Sequence, residues 1–180
     1  MSIAEKRANR TTVVMGSARG DGNTAAAVLH LSQKLGMPPS VADLSRLRIF
    51  PFEYGRHDDR DDFRAVIEMM LESDHVVFAT PVYWYSMSSS MKGFFDRLTD
   101  LLFDPASRKI GRALAGRSIW LLATGTDEDL PSGFQEPFAR TAKYFGMIWR
   151  EAIYCQSIKG LALTPEALTG AERLAKLIVA

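Results

Sequence analysis

A loop of small and polar residues follows the first apolar run of the sequence. Thr12 to Thr24 reads T-V-V-M-G-S-A-R-G-D-G-N-T, in which the apolar run stops at Gly16 and a helical pattern starts at Thr24. Such a loop brings backbone N–H groups, hydroxyls and the Arg19 guanidinium to the positive end of a helix, which is the chemistry that binds a phosphate. An ordinary strand-to-helix turn, capped by Asn23 or Thr24, is the alternative.

The glycine spacing separates this loop from two nucleotide-binding motifs. Gly16, Gly20 and Gly22 allow the backbone to turn sharply and to approach a ligand closely. Gly16 and Gly22 are one residue too far apart for a P-loop, and Asn23 stands where that motif has its lysine. The G-x-G-x-x-G pattern of dinucleotide-binding folds is absent. Several hydroxyls and one arginine therefore indicate a monophosphate rather than a triphosphate.

Three consecutive aromatic residues, Tyr83, Trp84 and Tyr85, follow an apolar β-branched run at 75–80. Their side chains are expected to be exposed, and three exposed aromatic rings form a sticky surface unless something covers them. A flat ring system with a hydrogen-bonding edge would cover them, with backbone N–H groups of 84–86 as donors. Packing into the core or a subunit interface is the alternative, because Trp and Tyr are frequent at interfaces.

Strands and helices alternate along the chain and must position these segments. Apolar runs predict five strands, at 13–15, 41–44, 75–80, 118–123 and 149–154. Helical spacing of apolar residues predicts five helices, beginning near residues 24, 63, 91, 134 and 165. This alternation indicates a parallel sheet with helices on both faces, whose ligands bind beyond the carboxyl ends of the strands. Three polar or aromatic loops are expected to converge there, at 16–23, 81–89 and 124–132.

Composition bounds the class of protein. A length of 180 residues fits a single domain, 1–180, with 1–10 as a flexible N-terminal arm that lacks the apolar core of a signal peptide. A net charge of +1 gives no indication of a nucleic-acid partner, and no apolar run approaches the length of a membrane span. The single cysteine, Cys155, is interpreted as a buried apolar residue in a cytoplasmic protein. The three histidines lack metal-ligand spacing, so no metal site is predicted.

Several polar residues are expected to have structural roles. The charged segment 45–61 is interpreted as a solvated loop, with a flap or partner contact as the alternative. Asp61 or Asp62 is expected to cap the helix that follows, and one of Ser86, Ser88, Ser89 and Ser90 the helix near residue 91. Asp96 and Arg97 are a candidate oligomer contact. Residues expected at the solvated surface are His30, Asp127, Glu128 and the i, i+4 pair of Lys92 and Asp96.

Two stretches, G-S-A-R-G-D-G-N-T and P-V-Y-W-Y-S-M-S-S-S-M-K-G-F-F-D-R, together resemble the NAD(P)H-dependent FMN reductases over about 12–145. The resemblance implies an α/β fold: a flavodoxin-like doubly wound sandwich, with a five-stranded parallel sheet and helices on both faces. It also implies FMN as cofactor, NAD(P)H as co-substrate and a homodimer or homotetramer that completes the flavin site. Because the segment between the second strand and the second helix has no cysteine, no iron–sulfur cluster is expected.

The resemblance also implies roles for individual residues. The FMN phosphate is expected on Ser17, Arg19, Asn23 and Thr24. The ring is expected against Pro81, Val82, Tyr83, Trp84, Tyr85 and Ser86, with Thr124, Gly125 and Thr126 on the other side. Tyr83, Trp84 and Tyr85 are also expected to shape the substrate pocket. The flavin would take a hydride from the nicotinamide and reduce a small acceptor such as a quinone or flavin, so no catalytic side chain is predicted.

Two other functions use the same cofactor. A flavodoxin-type electron carrier is typically strongly acidic, whereas this chain has a net charge of +1 and carries Arg19 in its phosphate loop. Both features argue against a carrier. A non-catalytic flavin-binding protein stays open, because the sequence does not report turnover.

Overall fold

The computed structural model of the chain describes residues 10–54, 60–158 and 162–180. The predicted N-terminal arm, 1–10, lies outside these ranges except for Arg10. Residues 55–59 of the charged segment, including His57, lie outside them as well.

Five parallel strands form one sheet in the order β2-β1-β3-β4-β5. The strands are β1 (Thr11–Met15), β2 (Ser40–Asp43), β3 (His75–Pro81), β4 (Ser118–Gly125) and β5 (Ile148–Gln156). The three central strands, β1, β3 and β4, are buried almost throughout, because helices cover both faces of the sheet. The order is that of flavodoxin-like sheets, whose ligand crevice opens beyond β1 and β3. The predicted α/β class and five-stranded parallel sheet are confirmed.

Six α-helices are described: α1 (Asn23–Lys34), α2 (Phe63–Leu71), α3 (Ser89–Arg97), α4 (Pro105–Ala113), α5 (Glu136–Tyr144) and α6 (Pro165–Val179). Helices α1 and α6 pack on one face, in a core with Val13 and Val77. Helices α2, α3 and α5 pack on the other, with Val14 and Phe78. Successive strand residues therefore serve opposite cores, as the two-residue period of a strand requires.

Helix α4 is missing from the sequence prediction. The helix predicted to begin near residue 91, whose apolar spacing continues from Met91 to Leu102, is shorter than that spacing indicates. Helix α3 ends at Arg97, and a 3₁₀ turn continues from Leu98 to Leu102. Asp104 then caps α4, accepting hydrogen bonds from the N–H groups of Ala106 at 2.8 Å and Ser107 at 3.0 Å. Asp followed by Pro is a helix-start signal that an apolar-period search overlooks, because α4 has few apolar residues.

The interpretation of segment 45–61 as solvated is wrong for Asp61, whose side chain is 2% exposed. It pairs with Arg97, which also bonds Asp100 at 2.6 Å and donates to Phe50 O at 3.0 Å. Because the Arg97 side chain is only 7% exposed, its predicted role in an oligomer contact is wrong too. Two buried carboxylates explain why this arginine lies inside the protein.

Of the remaining predictions for polar residues and for Cys155, some are confirmed and others are wrong. Asp61 accepts from Phe63 N at 3.1 Å as predicted, whereas Asp62 bonds Arg48 N and makes no cap. His30 is half-buried and lies 2.9 Å from Glu172, joining α1 to α6, so its predicted solvation is wrong. The pair of Lys92 and Asp96 is confirmed at 2.5 Å on the surface of α3. Cys155 is buried as predicted, and burial raises the pKa of its thiol to about 11.

Candidate functional site

A cavity of about 540 Å³ opens beyond the carboxyl ends of β1, β3 and β4. All three predicted loops meet there, and of the predicted site residues Tyr85 and Ser86 are the two outside its lining. Gly22 and Ser157 line it without having been predicted. The lining consists of Ser17, Arg19, Gly22, Asn23, Thr24, Pro81, Val82, Tyr83, Trp84, Thr124, Gly125, Thr126 and Ser157.

The loop between β1 and α1 places a glycine at the N-cap position of the helix. Gly22, not Asn23 or Thr24, is the N-cap residue, and it has no side chain to offer the first-turn N–H groups. The Arg19 guanidinium lies beside it, since a Cβ added to Gly22 would be 3.6 Å from Arg19 Nε. Two positive features at one place favour an anion. The alternative of a side-chain-capped turn is therefore wrong.

Gly16 has a different role from the one predicted. A Cβ at this position would lie 2.8 Å from Met91 Cβ and 2.9 Å from Met91 N, so the missing side chain makes room for α3 rather than for a ligand. Ser88, the N-cap of α3, accepts from Met91 N at 3.2 Å and donates to Gly16 O at 2.8 Å. These contacts hold the loop between β1 and α1 against the start of α3.

Two buried threonine hydroxyls join the first turn of α1 to the end of β4. Thr24 Oγ1 and Thr124 Oγ1 are 2.7 Å apart, although the residues are 100 positions apart in the chain. The sequence analysis placed Thr124 and Gly125 in the loop 124–132, but in the structure both residues belong to β4. The hydroxyl pair therefore joins the side of the cavity formed by the start of α1 to the side formed by the end of β4.

The aromatic segment forms a tight turn with strained backbone. Tyr83 and Ser86 exchange N–H···O bonds of 2.9 and 3.0 Å, and Trp84 and Tyr85 between them have φ values of 49° and 64°. Positive φ at both central positions is typical of a type I′ turn, and it is costly for bulky side chains.

The rings of this turn are exposed, as predicted. Trp84 is 93% and Tyr85 70% exposed, so the alternative that they pack into the core is wrong. Trp84 lies at the mouth of the cavity. The Ser86 N–H, one of the predicted donors toward a ring, is already bonded to Tyr83 O. The N–H groups of Trp84 and Tyr85 have no acceptor among the described residues.

Contacts around Gly125 shape the side of the cavity formed by the end of β4 and the loop that follows it. A Cβ there would lie 2.7 Å from Tyr154 Oη and 3.2 Å from Val82 Cβ, so a larger residue would have to displace the Tyr154 hydroxyl. Tyr154 Oη donates to Asp127 O at 2.9 Å and holds the loop after β4, while burial raises the pKa of this phenol. Ser157 N donates to Gly125 O at 2.7 Å. Ser157 could have been found by the carboxyl-edge rule, had β5 been predicted to reach Gln156.

The lining fits the cofactor FMN. Among the lining residues that the structure describes, Arg19 is the one with a charged side chain, and a helix end with a glycine N-cap and several hydroxyls lie beside it. Exposed aromatic side chains at the mouth suit a flat ring, and the volume is in the range of ligand pockets, roughly 300–1,000 Å³.

In the described ranges no cluster of three or more His, Cys, Asp or Glu side chains is placed to hold a metal ion. None of the described helices is both long and apolar enough to cross a lipid bilayer.

Fold and site together define a flavodoxin-like α/β protein with a cavity whose lining fits a phosphorylated ring compound. The family model of the NADPH-dependent FMN reductases matches residues 9–136, which shows that the chain belongs to this family. The chain is thus an NAD(P)H-dependent FMN oxidoreductase rather than a flavodoxin-type carrier. FMN as cofactor and NAD(P)H as reductant are confirmed at the level of the family.

Individual proteins are similar to this chain in sequence or in fold. A Bacillus subtilis protein provisionally named as the NAD(P)H-dependent FMN-containing oxidoreductase YwqN is 27% identical over an alignment of 177 residues, which covers 93% of this chain and 97% of that protein. The structure of Trp repressor binding protein from Bacillus subtilis superposes with a TM-score of 0.72 at 25% identity, covering 92% and 99% of the two chains. An NADPH-quinone reductase from P. pentosaceus shares the fold, with a TM-score of 0.64, 14% identity and coverage of 95% and 98%.

Proposed function

We propose that this enzyme takes a hydride from NAD(P)H onto FMN held in the carboxyl-edge cavity and passes electrons to a small acceptor such as a quinone or a flavin. When bound, FMN supplies the redox chemistry, and the protein supplies binding and orientation. The observation that carries the proposal is the pairing, within one cavity, of a helix end with a glycine N-cap beside Arg19 and an exposed aromatic turn.

Four residues are proposed to hold the phosphate: Ser17, Arg19, Asn23 and Thr24. Ser17 and Thr24 offer hydroxyl donors at the base of the loop, and the first-turn N–H groups of α1 add the helix dipole. Arg19 contributes a full positive charge from an exposed position, from which it can close on the anion. Charge-assisted bonds of this kind are stronger than bonds between neutral groups.

The ring is proposed to lie between the aromatic turn and the end of β4. Backbone N–H groups of Trp84 and Tyr85 are the available donors toward its edge, since the Ser86 N–H is bonded to Tyr83. Thr124, Gly125 and Thr126 would close the opposite side, with Pro81 and Val82 behind. The side chains of Tyr83, Trp84 and Tyr85 are proposed to shape the pocket for nicotinamide and acceptor in turn.

The exposed rings also support a homodimer or homotetramer that covers them, because contiguous exposed aromatic side chains are typical of interfaces. A cytoplasmic location is proposed from the single buried thiol, Cys155. Light scattering of the purified protein measures the assembly state, and a monomer at all concentrations would contradict the oligomer.

The acceptor can be tested in two mixing steps. FMN-loaded protein is reduced anaerobically with NAD(P)H, freed of excess donor, and mixed with a quinone or with free flavin while the flavin absorption band is followed. We expect the band to return rapidly with at least one of them. Failure of both to restore it would contradict a small-molecule acceptor.

Trp84→Ala provides the matched variant for this test, with Tyr144→Ala as its control. Both side chains are exposed, but Tyr144 lies on α5 outside the cavity lining. Trp84→Ala is expected to raise the KM for the acceptor, and Tyr144→Ala to leave it unchanged. Equal effects of the two variants would show that exposed aromatic area in general, rather than this turn, governs the acceptor.

A further inference from the structure

We propose that Thr124 is a positioning residue for phosphate binding: its hydroxyl orients the hydroxyl of Thr24 as a donor to the phosphate. The inference rests on the proposed function, because it takes the phosphate of FMN to lie at the first turn of α1. It gives Thr124 a role at the phosphate end of the cofactor, in addition to the expected contact with the ring.

The hydrogen atoms of the pair can be counted. Each threonine hydroxyl carries one hydrogen and two acceptor lone pairs. The 2.7 Å bond between Thr24 and Thr124 uses one of the two hydrogens. Neither hydroxyl has another partner among the described residues, although both residues are buried at the base of the cavity. One hydroxyl hydrogen is therefore left for whatever occupies the cavity, since a buried donor without an acceptor is costly.

A second buried hydroxyl pair shows that the protein can place both hydrogens when no ligand is involved. Thr12 Oγ1 and Ser73 Oγ lie 2.6 Å apart, and each is also 3.1 Å from Met69 O. One hydroxyl donates to the other, which in turn donates to the carbonyl, so the chain of bonds ends inside the protein. This pair involves the second residue of β1, and neither of its residues is part of the cavity lining.

The position of Thr24 indicates that Thr124 donates to Thr24 and that Thr24 donates to the ligand. Thr24 is in the first turn of α1, two residues after the N-cap Gly22, which lies beside Arg19, so an anion is favoured at this helix end. When Thr24 donates to the phosphate, its oxygen can accept from Thr124, and each bond in such a chain polarises the next. Removal of the Thr124 hydroxyl leaves Thr24 without its buried partner and free to rotate.

Titration with FMN and with riboflavin, which lacks the phosphate, separates this role from ring binding. Flavin fluorescence gives both dissociation constants for wild type and variants. Thr24→Val is expected to weaken FMN binding about ten- to a hundredfold, the effect of a hydrogen bond to a charged group, and riboflavin binding much less. Thr124→Val is expected to weaken FMN binding about three- to tenfold with the same selectivity, and Thr124→Ser to restore it.

The double variant tests whether the two hydroxyls act as one chain. Thr24→Val with Thr124→Val is expected to bind FMN no worse than Thr24→Val alone, because the second hydroxyl acts through the first. Additive losses would overturn the proposal. So would equal losses for FMN and riboflavin in Thr124→Val, or no loss for either. If Thr124→Val does not fold, Thr124→Ala is measured against Thr124→Ser in its place.

Thr12→Val is the matched control, because it opens a buried hydroxyl pair outside the cavity. It is expected to lower stability while leaving the ratio of riboflavin to FMN dissociation constants unchanged. A change in that ratio would show that loss of any buried hydroxyl alters phosphate selectivity, which would also overturn the proposal. Failure of the proposed function is distinct: wild-type protein would then bind neither flavin.

Discussion

The two ends of the sheet differ in how their buried polar groups are hydrogen-bonded. At the amino end, the Thr12 and Ser73 hydroxyls close on Met69 O, and Trp120 Nε1 donates to His75 Nδ1 at 3.2 Å. At the carboxyl end, the pair of Thr24 and Thr124 keeps one hydroxyl hydrogen without an acceptor in the described chain, and α1 begins at a glycine that cannot cap it. Polar groups satisfied inside the protein stabilise the fold, whereas those left open mark a ligand site.

Backbone strain follows the same division. Among the described residues, the two non-glycine positions with positive φ are Trp84 and Tyr85, both at the carboxyl end. Strained backbone is retained where it serves function, and here it coincides with the most exposed aromatic side chains near the cavity. The carboxyl end therefore costs stability that the amino end and the two cores supply.

The largest effect is expected for Gly16→Ala, which disturbs the packing that holds the carboxyl end together. The new Cβ would overlap Met91 Cβ and N at 2.8 and 2.9 Å, so α3 must shift, at a cost of about 1–3 kcal/mol in the free energy of unfolding. Chemical denaturation of flavin-free protein measures it.

Gly93→Ala, in the interior of α3, is the control for this substitution. Apart from its chain neighbours and the backbone of α3, no described atom lies within 4 Å of the added Cβ, and alanine favours the helix by up to about 1 kcal/mol. Equal destabilisation by the two variants would contradict the account of Gly16.

Arg19→Met is expected to act next most strongly, and on binding rather than on folding. Loss of this charge, which no other described lining residue carries, should weaken FMN binding about tenfold and leave riboflavin binding nearly unchanged. Arg46→Met removes an arginine that is 79% exposed and pairs with Asp43 outside the cavity lining. A similar loss in both variants would indicate a general charge effect instead of a phosphate site.

Tyr85→Gly is expected to stabilise the flavin-free protein by about 0.5–1 kcal/mol. Glycine adopts positive φ without strain, and the exposed Tyr85 side chain loses few contacts. Thermal denaturation tests this, with Tyr54→Gly as the control, because Tyr54 is also exposed but has no positive φ. Destabilisation of Tyr85→Gly to the extent of the control would show that the turn stores no strain.

The smallest effect concerns His75, at the amino end. Burial lowers the pKa of its imidazole below 6.5, with Arg150 acting in the same direction and Asp74 against it. The unfolded chain therefore takes up the proton first, so this group removes stability as the pH falls through 6.5. His75→Gln should lose less stability than wild type between pH 7.5 and pH 5.5. Parallel pH curves for the two proteins would contradict this.

The fold was largely predictable because its signals are local. Buried parallel strands are continuous apolar runs, and the carboxyl-edge rule then brought three separate loops to one cavity. Contacts between distant residues were not predictable: Asp61 and Arg97 are 36 positions apart, and a charged segment gives no sign that one of its carboxylates is buried. The pairing of Thr24 with Thr124 likewise depends on sheet order, which a single sequence does not report.

The central claim is that the carboxyl-edge cavity binds FMN and presents it to a nicotinamide. The direct measurement is an absorption spectrum of the purified protein after incubation with FMN and removal of free flavin, followed by anaerobic addition of NADPH or NADH. We expect a retained flavin band that bleaches within the mixing time with at least one donor, and the faster donor identifies the preferred nicotinamide. Protein that retains no flavin, or a retained band that neither donor bleaches, would contradict the claim.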